Sequence, residues 1–308
     1  MRVGLQLPSF SFPGGAAAIR STLTDIAQAA EANGLASLWV MDHLVQLPEH
    51  TGWGGPSEPM LEAYTTLGFL ARATERIAIG PMVGAVHFRH PGLLIKAATT
   101  LDVLAGGRTY LALGAGWYER EAKGLGIPFP PRAERFQLLE ETLQITRHML
   151  AGDVAPIATA HHLLAEPYNV PGPLASTVWP DGRTPGRPRI MLGGGGERKT
   201  LRYVAEYADA CNILVPDPGE SRHKLEVLRA HCEAIGRDPA EIETTALLEV
   251  DLRRERPADV IRRFRDQADE GIEHVIVNMP DAHDIGRLDT LGREVIPAVG
   301  EVGPVSIR

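Results

Sequence analysis

The fold is decided by residues 76–118, which read RIAIGPMVGAVHFRHPGLLIKAATTLDVLAGGRTYLALGAGWY. Two short apolar strands are predicted here, at Ile77–Gly80 and Thr109–Leu113, and they flank one helix that begins at Pro91. Each strand is followed by glycines, aromatic side chains and charges. In α/β folds, ligands bind just beyond the carboxyl ends of buried strands. This stretch therefore predicts one unit of a parallel α/β fold with a functional edge.

The same alternation of strand and helix continues along the whole chain. The other strands are predicted at Val3–Leu7, Leu38–Met41, Arg189–Leu192, Asn212–Val215, Ile242–Leu252 and Val275–Val277. The other helices are predicted at Ile19–Asn33, Met60–Ala73, Ala133–Leu150, Arg198–Ala208, Ser221–Ile235, Pro257–Glu270 and Ile285–Val299. The strands are nearly continuous apolar runs, which is typical of a parallel sheet buried on both faces. Eight units in 308 residues predict a single (β/α)8 TIM barrel domain, with a doubly wound open sheet as the alternative.

Composition limits the classes of partner. The formal net charge of −8 argues against nucleic acid or an anionic membrane as the main partner, but it does not exclude a local basic patch for one phosphate. The two cysteines, Cys211 and Cys232, have no metal-binding spacing, and we expect no metal site. The chain starts directly with an apolar strand, and no apolar run approaches the ~20 residues that span a bilayer. We expect a cytoplasmic protein.

One segment breaks the alternation. Residues Gly152 to Pro188 are rich in proline and glycine, and the loop Val45–Pro59 has a similar composition. We predict that residues 152–188 form a surface insertion at the C-terminal face of the barrel. Such an insertion could act as a lid over the substrate side.

Candidate catalytic residues follow the second strand. Histidine at position 43 can exchange a proton near neutral pH, and the adjacent Asp42 can orient or charge it. A helix-capping aspartate beside a structurally satisfied histidine is the alternative.

Candidate ligand-binding residues follow the third strand. Met82, Val83 and Gly84 could hold an irregular backbone against a flat ligand, although a plain bulge explains them nearly as well. Beyond them, Arg89 could bind an anion or form a structural salt bridge.

The fourth and fifth strands end in glycines. After the fourth, Gly114 allows close backbone approach, Trp117 offers a stacking face and Glu119 is a possible acid, although a tryptophan packed for stability is the alternative. After the fifth, four glycines precede a helix, where exposed N–H groups can bind a phosphate, and two cations add charge. These residues are Gly193, Gly194, Gly195, Gly196, Arg198 and Lys199. A merely flexible loop is the alternative.

These strand ends, taken in order, resemble the luciferase-like monooxygenase superfamily, and most of all its branch of coenzyme F-420-dependent oxidoreductases. The resemblance covers essentially the whole chain except about Asn169 to Arg187. The matching segments are RVGLQ (2–6), WVMDH (39–43), FRHP (88–91), LDVLAGGR (101–108), LGAGWYE (113–119), GLGIPFP (124–130), residues 190–200 and YAD (207–209).

The resemblance implies a (β/α)8 barrel that binds coenzyme F-420, or flavin mononucleotide (FMN) as the alternative, in the barrel mouth. It implies a non-proline cis peptide near Met82-Val83-Gly84 behind the ring, and His43 over the reactive face. Glu119 would transfer or orient a proton, Trp117 would pack by the ring or the substrate, and Gly193–Gly196 would hold the cofactor phosphate. A homodimer is also implied.

The resulting hypothesis is an oxidoreductase that moves a hydride between the deazaflavin and an organic substrate. Candidate substrates are a secondary alcohol or a compound with a C=O, C=N or activated C=C bond. Two alternatives stay open: a reduced-FMN-dependent two-component monooxygenase, and a flavin- or deazaflavin-binding barrel without turnover.

Overall fold

The computed structural model describes residues 1–47, 54–174, 179, 182–183, 185–214, 219–279 and 281–300. The predicted loop Val45–Pro59, the predicted insertion 152–188 and the predicted strand end at Val215 therefore lie partly outside the described residues. No helix within the described part is long and apolar enough to cross a membrane.

All eight predicted strands are present in the described residues, with small shifts of their ends. The strands are β1 (Arg2–Leu7), β2 (Ser37–Val40), β3 (Ala78–Pro81), β4 (Gly84–Ala85), β5 (Tyr110–Gly114), β6 (Ile157–Ala158), β7 (Leu163–Leu164), β8 (Arg189–Gly193), β9 (Ala210–Leu214), β10 (Glu243–Glu249) and β11 (His274–Asn278). Of these, β3 and β4 are two pieces of the third barrel strand, and β6 and β7 form a separate hairpin.

The helices follow the prediction except near residue 120 and at the C-terminal end. They are α1 (Ile19–Ala32), α2 (Ala63–Ala73), α3 (Pro91–Leu104), α4 (Glu119–Gly124), α5 (Arg132–Leu150), α6 (Thr200–Tyr207), α7 (Glu220–Ala234), α8 (Pro257–Asp269), α9 (Ile285–Thr290) and α10 (Ile296–Gly300). The short helix α4 was not predicted. A π-helical turn at Leu291–Val295 separates α9 from α10, where one continuous helix was predicted.

The sheet closes into a parallel barrel. Strand β1 lies between β2 and β11, and the order continues through β10, β9 and β8 to β5, with β3 on the other side of β2. Closure occurs between β3 and β5, where Ile79 pairs with Thr109 and its N–H donates to the carbonyl of Arg108 at 3.0 Å. The predicted (β/α)8 barrel is confirmed. The open-sheet alternative is wrong, because an open sheet would leave these two strands as edges.

Alternating side chains of each strand build two apolar layers. In β1, Val3, Leu5 and Leu7 belong to the large core between barrel and helices. The opposite face of the strands points into the barrel, where Trp39 and Met191 belong to a smaller inner core. Strand side chains alternate between faces, so Gln6 falls on the inner face of β1.

A buried ion cluster lies at the amino-terminal end of the barrel, centred on the fully buried Glu243. Tyr110 Oη donates to Glu243 Oε2 at 2.8 Å, and Arg189 Nη1 donates to the same oxygen at 2.6 Å. Arg2 Nη2 and His274 Nδ1 each lie 2.9 Å from Glu243 Oε1. Four partners therefore surround one carboxylate deep in the barrel.

The described residues of the insertion run along the outer side of the barrel helices, from the start of α3 towards the amino-terminal face. The hairpin reaches the start of α3, where His162 contacts His90, and Lys96 Nζ then donates to the carbonyl of Val170 at 2.5 Å. Trp179 ends at the opposite face, 4.7 Å from the Tyr110 ring and beneath the Arg189 guanidinium. None of its described residues lines the cavity described below. The described residues of the insertion therefore form no lid over this cavity, and the rest of the segment lies outside the described residues.

Candidate active site

A cavity of about 710 Å³ opens at the carboxyl ends of the barrel strands. This volume lies in the range of sites for small molecules and cofactors. Of the predicted site residues, those that line it are Asp42, His43, Met82, Val83, Gly84, Gly114, Trp117, Gly193 and Gly194. The predicted location of the site at this end of the barrel therefore agrees with the cavity.

A histidine and a glutamate form a dyad in the cavity wall. His43 Nδ1 lies 2.8 Å from Glu121 Oε2, and the side chain of Glu121 is fully buried. The other oxygen of Glu121 accepts hydrogen bonds from the N–H groups of Leu44 and Val45. The carboxylate thus fixes both the imidazole and the loop that carries it. Since Nδ1 is engaged, Nε2 is the ring nitrogen of His43 that could meet a ligand in the cavity.

This geometry corrects the prediction for Glu119. Its side chain is 55% exposed and pairs with Lys123 at 2.8 Å on the outer surface of α4. Glu121, two residues further on, lines the cavity in its place. The physical reason is helical geometry, because residues two apart point to different sides of a helix.

The two glutamates give a matched pair of variants. We expect Glu121→Gln to lower turnover roughly 10- to 100-fold, because a neutral amide holds and polarises the His43 ring less well. Glu119→Gln should leave turnover and its pH profile unchanged, since this side chain faces solvent. Steady-state kinetics over a pH series compare the two variants. Equal losses of turnover in the two variants would show that the dyad has no part in the mechanism.

Asp42 is held by Arg89, and this corrects the predicted roles of both residues. Arg89 donates from Nη1 and Nη2 to the two oxygens of Asp42 at 2.7 and 2.8 Å, and from Nη2 to Glu62 at 2.6 Å. Burial raises the pKa of Asp42, and the hydrogen bonds from Arg89 oppose that effect. Asp42 therefore does not orient His43, and Arg89 serves a structural ion pair instead of a ligand anion.

An apolar wall faces the cavity around the third barrel strand. The peptide bond between Met82 and Val83 is cis, at the position that the resemblance implies. A Cβ atom on Gly193 would lie 2.7 Å from the Val83 side chain, and one on Gly114 would lie 3.1 Å from it. The two glycines therefore let Val83 seat between β5 and β8 as a smooth surface in the cavity.

The glycine-rich loop contributes less than predicted. Gly193 and Gly194 line the cavity, but Gly195 and Gly196 do not. Arg198 and Lys199 are exposed and do not line the cavity, and Lys199 Nζ lies 5.5 Å from the centre of the Phe136 ring. The predicted contribution of these two cations to the site is not supported by their positions.

Two other arginines line the cavity, and the sequence interpretation missed them. Arg132 and Arg135 lie on the first turn of α5, and Thr200, at the start of α6, lines the same cavity. Arg135 donates to the carbonyl of Pro130 at 2.6 Å and stacks 4.0 Å above the Phe129 ring. Its Nε is buried and has no hydrogen-bond acceptor among the described residues. This part of the cavity therefore offers positive charge and an N–H donor to an anion.

A second histidine, His87, lines the same side of the cavity. Burial and the nearby charge of Arg135 lower the pKa of His87 to about 4. The ring is therefore neutral near pH 7, so His87 can accept or donate a hydrogen bond but carries no charge.

Comparison with known sequences gives a consistent set of relatives. A family model described as luciferase-like monooxygenase matches residues 1–294. The phthiodiolone/phenolphthiodiolone dimycocerosates ketoreductase of Mycobacterium kansasii is 29% identical over 267 residues, which are 82% of this chain and 66% of that protein. An F420-dependent glucose-6-phosphate dehydrogenase of Kineococcus radiotolerans is 28% identical over 247 residues, 79% of this chain and 67% of that protein. This chain spans about two thirds or less of these relatives.

Solved structures agree on the fold. An F420-dependent secondary alcohol dehydrogenase in complex with an F420-acetone adduct superposes with a TM-score of 0.77, covering 97% of this chain and 98% of that one, at 17% identity. Monooxygenases are also among the structures that superpose. At such low identity these likenesses show the barrel alone.

Proposed function

The chain belongs to the luciferase-like monooxygenase family, and from this premise we propose that it is an oxidoreductase dependent on coenzyme F-420. The enzyme moves a hydride between the deazaflavin and a small organic substrate. That substrate is a secondary alcohol or carries a C=O, C=N or activated C=C bond. F420-dependent enzymes among the relatives support the choice of cofactor.

The observation that carries this proposal is the His43–Glu121 dyad facing the same cavity as the apolar Val83 wall. Hydride transfer to or from a C=O or C–OH group requires a proton to move at the substrate oxygen. A buried carboxylate that fixes an imidazole provides a positioned proton donor or acceptor at that place. A carrier protein without turnover would have no use for such a dyad.

The residues present fit a deazaflavin cofactor. Val83, Gly114 and Gly193 offer a flat apolar surface for a ring, while Arg132 and Arg135 offer positive charge for its phosphate. The unpaired Nε of Arg135 is a buried donor that a phosphate oxygen would satisfy. These residues would hold the cofactor between the wall and the two arginines.

When bound, the deazaflavin supplies two-electron hydride chemistry, because carbon replaces the reactive ring nitrogen of a flavin. The side chains of the protein move the proton that accompanies the hydride. His43 gives a proton to the substrate oxygen or nitrogen, or takes one from it, and Glu121 keeps the imidazole in position. The Trp117 ring lies edge-on to the His43 ring, with 5.6 Å between the ring centres.

The direct test is turnover with a panel of substrates. Purified protein, F-420 and representative secondary alcohols, ketones, imines and enones are mixed, and the absorbance of the cofactor is followed in both directions. Oxidation or reduction of the cofactor with at least one class supports the proposal. Oxygen uptake with reduced FMN, and no reaction with F-420, would favour the two-component monooxygenase instead.

A second prediction concerns the cofactor phosphate. We expect Arg135→Leu to raise the Kd of F-420 roughly 10- to 100-fold, the amount lost with one hydrogen bond to a charged group. Arg198→Leu is the matched control, because Arg198 is exposed outside the cavity. Fluorescence titration of each apoprotein gives the Kd. A larger loss of cofactor affinity in Arg198→Leu than in Arg135→Leu would support the sequence-based prediction that the glycine-rich loop and its cations bind the phosphate.

The resemblance also suggests a homodimer, and the sequence analysis suggests a cytoplasmic location. Both stay predictions.

A further inference from the structure

Two amide side chains line the cavity from adjacent strands, and we call them the amide pair. Gln6 of β1 and Asn278 of β11 are register partners in the sheet, and both line the cavity. Gln6 is only 2% exposed. The side-chain carbonyl oxygens, Gln6 Oε1 and Asn278 Oδ1, are buried and have no hydrogen-bond donor among the described residues.

The amide pair lies across the barrel from the Val83 wall. Around the closed sheet, the strands that lead from the pair to the wall are β1, β2, β3 and β5 in one direction and β11, β10, β9 and β8 in the other. The count is four strands either way, because the pair lies at the boundary of β11 and β1 and Val83 is seated at the boundary of β5 and β8. Since the pair and Val83 line the same cavity, they form its opposite sides.

This placement puts the amide pair on the substrate side of the cavity. In the proposed function the cofactor ring lies against the Val83 wall, so the substrate has to approach the ring from the side away from that wall. His43 follows β2, the strand next to β1, and lines the cavity as well. A substrate between the wall and the amide pair would therefore have the imidazole at its flank, where the proton is exchanged.

The cavity wall around the amide pair carries no charge. The described cavity-lining residues of β1, β9, β10 and β11 are all uncharged, namely Gln6, Asn212, Leu214, Leu247 and Asn278. The side-chain N–H2 of Asn212 already donates to Thr245 Oγ1 at 2.9 Å. An ion bound at this wall would lose its water without meeting an opposite charge, which is costly. The wall therefore favours a neutral polar group, and the two unpaired oxygens call for one that donates a hydrogen bond.

From these observations we infer that the amide pair selects the substrate by binding a hydroxyl or amide N–H group that the substrate carries besides its reacting group. Most buried polar atoms in proteins are paired, so a ligand that donates to these oxygens gains over one that leaves them bare. Amides do not titrate, so their role is recognition and not proton transfer. The inference rests on the proposed function and narrows its substrates to neutral compounds with a second polar group.

The test is turnover of matched methyl ketones with F-420. At each chain length the far end of the ketone is a hydroxyl, a methyl or a carboxylate group, and the corresponding secondary alcohols are used in the reverse direction. We expect the best hydroxyl-ended compound to have a kcat/KM roughly ten- to a hundredfold higher than its methyl-ended partner, because the methyl group leaves the amide oxygens unpaired. It should also exceed its carboxylate-ended partner, which brings an uncompensated charge to this wall.

Variants of the amide pair should remove this preference. In Gln6→Leu and Asn278→Leu we expect the KM of the hydroxyl-ended compound to rise roughly tenfold or more, while kcat changes little because His43 and Glu121 are intact. The Kd of F-420, titrated without substrate, should equal that of the wild type. Asn169→Leu is the matched control, because Asn169 is also a buried amide with an unpaired oxygen but lies outside the cavity, and it should keep the preference.

A smaller change guards against misfolding. Asn278 is half-buried, so Asn278→Ala removes the amide without adding bulk, and it should lose the hydroxyl preference as the leucine variants do. Circular dichroism checks that each variant is folded.

The outcomes separate this inference from the proposed function. Turnover with F-420 that is as fast for methyl-ended as for hydroxyl-ended compounds, or a hydroxyl preference that survives in the folded variants, would overturn the inference and leave the proposed function intact. A raised Kd of F-420 with unchanged KM in those variants would assign the amides to the cofactor and also overturn the inference. Oxygen uptake with reduced FMN in place of turnover with F-420 would overturn the proposed function, whereas a hydroxyl preference in that reaction, lost in the amide variants, would still support the inference.

Discussion

We expect His43→Ala to lower kcat by roughly two to four orders of magnitude, the contribution typical of a positioned acid–base group. The Kd of the cofactor should change little, because the proposed ring wall and phosphate site are built from other residues. His43 lines the cavity with Nδ1 held by Glu121, so its removal takes away the proton donor or acceptor and leaves the carboxylate in place. Steady-state kinetics with the best substrate of the panel, and fluorescence titration of the cofactor, measure the two quantities.

The control for this variant is His161→Ala. His161 belongs to the surface segment that carries the β6–β7 hairpin, where it is bonded to Glu141 at 2.8 Å, and it does not line the cavity. Its removal should leave kcat unchanged. A kcat of His43→Ala equal to that of the wild type would show that the substrate exchanges its proton elsewhere.

The second large effect concerns stability. We expect Glu243→Gln to lower the free energy of unfolding by about 3–5 kcal/mol, because removing one partner of a buried ion cluster leaves its cations uncompensated. The carboxylate bonds Tyr110, Arg189, Arg2 and His274 and is fully buried. Denaturant unfolding followed by circular dichroism measures the difference.

The loss of stability in Glu243→Gln should depend on pH. Burial alone would raise the pKa of Glu243, but the hydrogen bond from His274 and the charges of Arg2 and Arg189 hold it well below its usual range. The carboxylate is more easily ionised in the folded state than in the unfolded state. Its contribution to stability is therefore full above the unfolded pKa of about 4.3 and is lost as the pH falls towards the folded value. The difference between wild type and variant should narrow in acid.

Asp259→Asn is the control for charge removal. Asp259 pairs with Arg256 at 2.8 Å on the exposed surface of α8, where an ion pair contributes little. A similar loss in both variants, or a stable Glu243→Gln protein at neutral pH, would contradict the role assigned to the buried cluster.

The fold could be predicted from the sequence because each strand is a short apolar run followed by a distinct helix signal. For example, α3 begins at Pro91, where proline suits the first helical position, and His90 caps it by accepting from the N–H of Gly92 at 3.2 Å. The location of the site followed from topology, since the carboxyl ends of all parallel strands meet at one face. That reasoning placed His43, Val83 and Gly193 in the cavity.

The errors arose where side-chain direction mattered. Glu119 and Glu121 are both acidic, and only the helix α4, which was not predicted, turns Glu121 inward. Arg132 and Arg135 are three residues apart on one helix face, a spacing that could have indicated a shared target. Gln6 could also have been identified from the sequence, because it is the one polar residue within the apolar run Val3–Leu7.

The predicted position of the insertion was wrong, although the order of helices and strands in the sequence contained the information needed to correct it. Residues 152–188 follow a helix and precede a strand, so the segment has to end at the amino-terminal face of a parallel barrel, away from the active-site face. The described residues Trp179 and Arg183 lie there, where Arg183 donates to Glu273 at 3.0 Å. The proline and glycine content indicated an irregular segment but carried no information about which face it covers.

The measurement that tests the central claim most directly is a fluorescence titration of the purified apoprotein with coenzyme F-420 and, in parallel, with FMN. We predict saturable binding of F-420 with a Kd well below that of FMN, and a weaker F-420 complex in Arg135→Leu. Binding of FMN in preference to F-420 would contradict the account and make the reduced-flavin monooxygenase the leading explanation of this site.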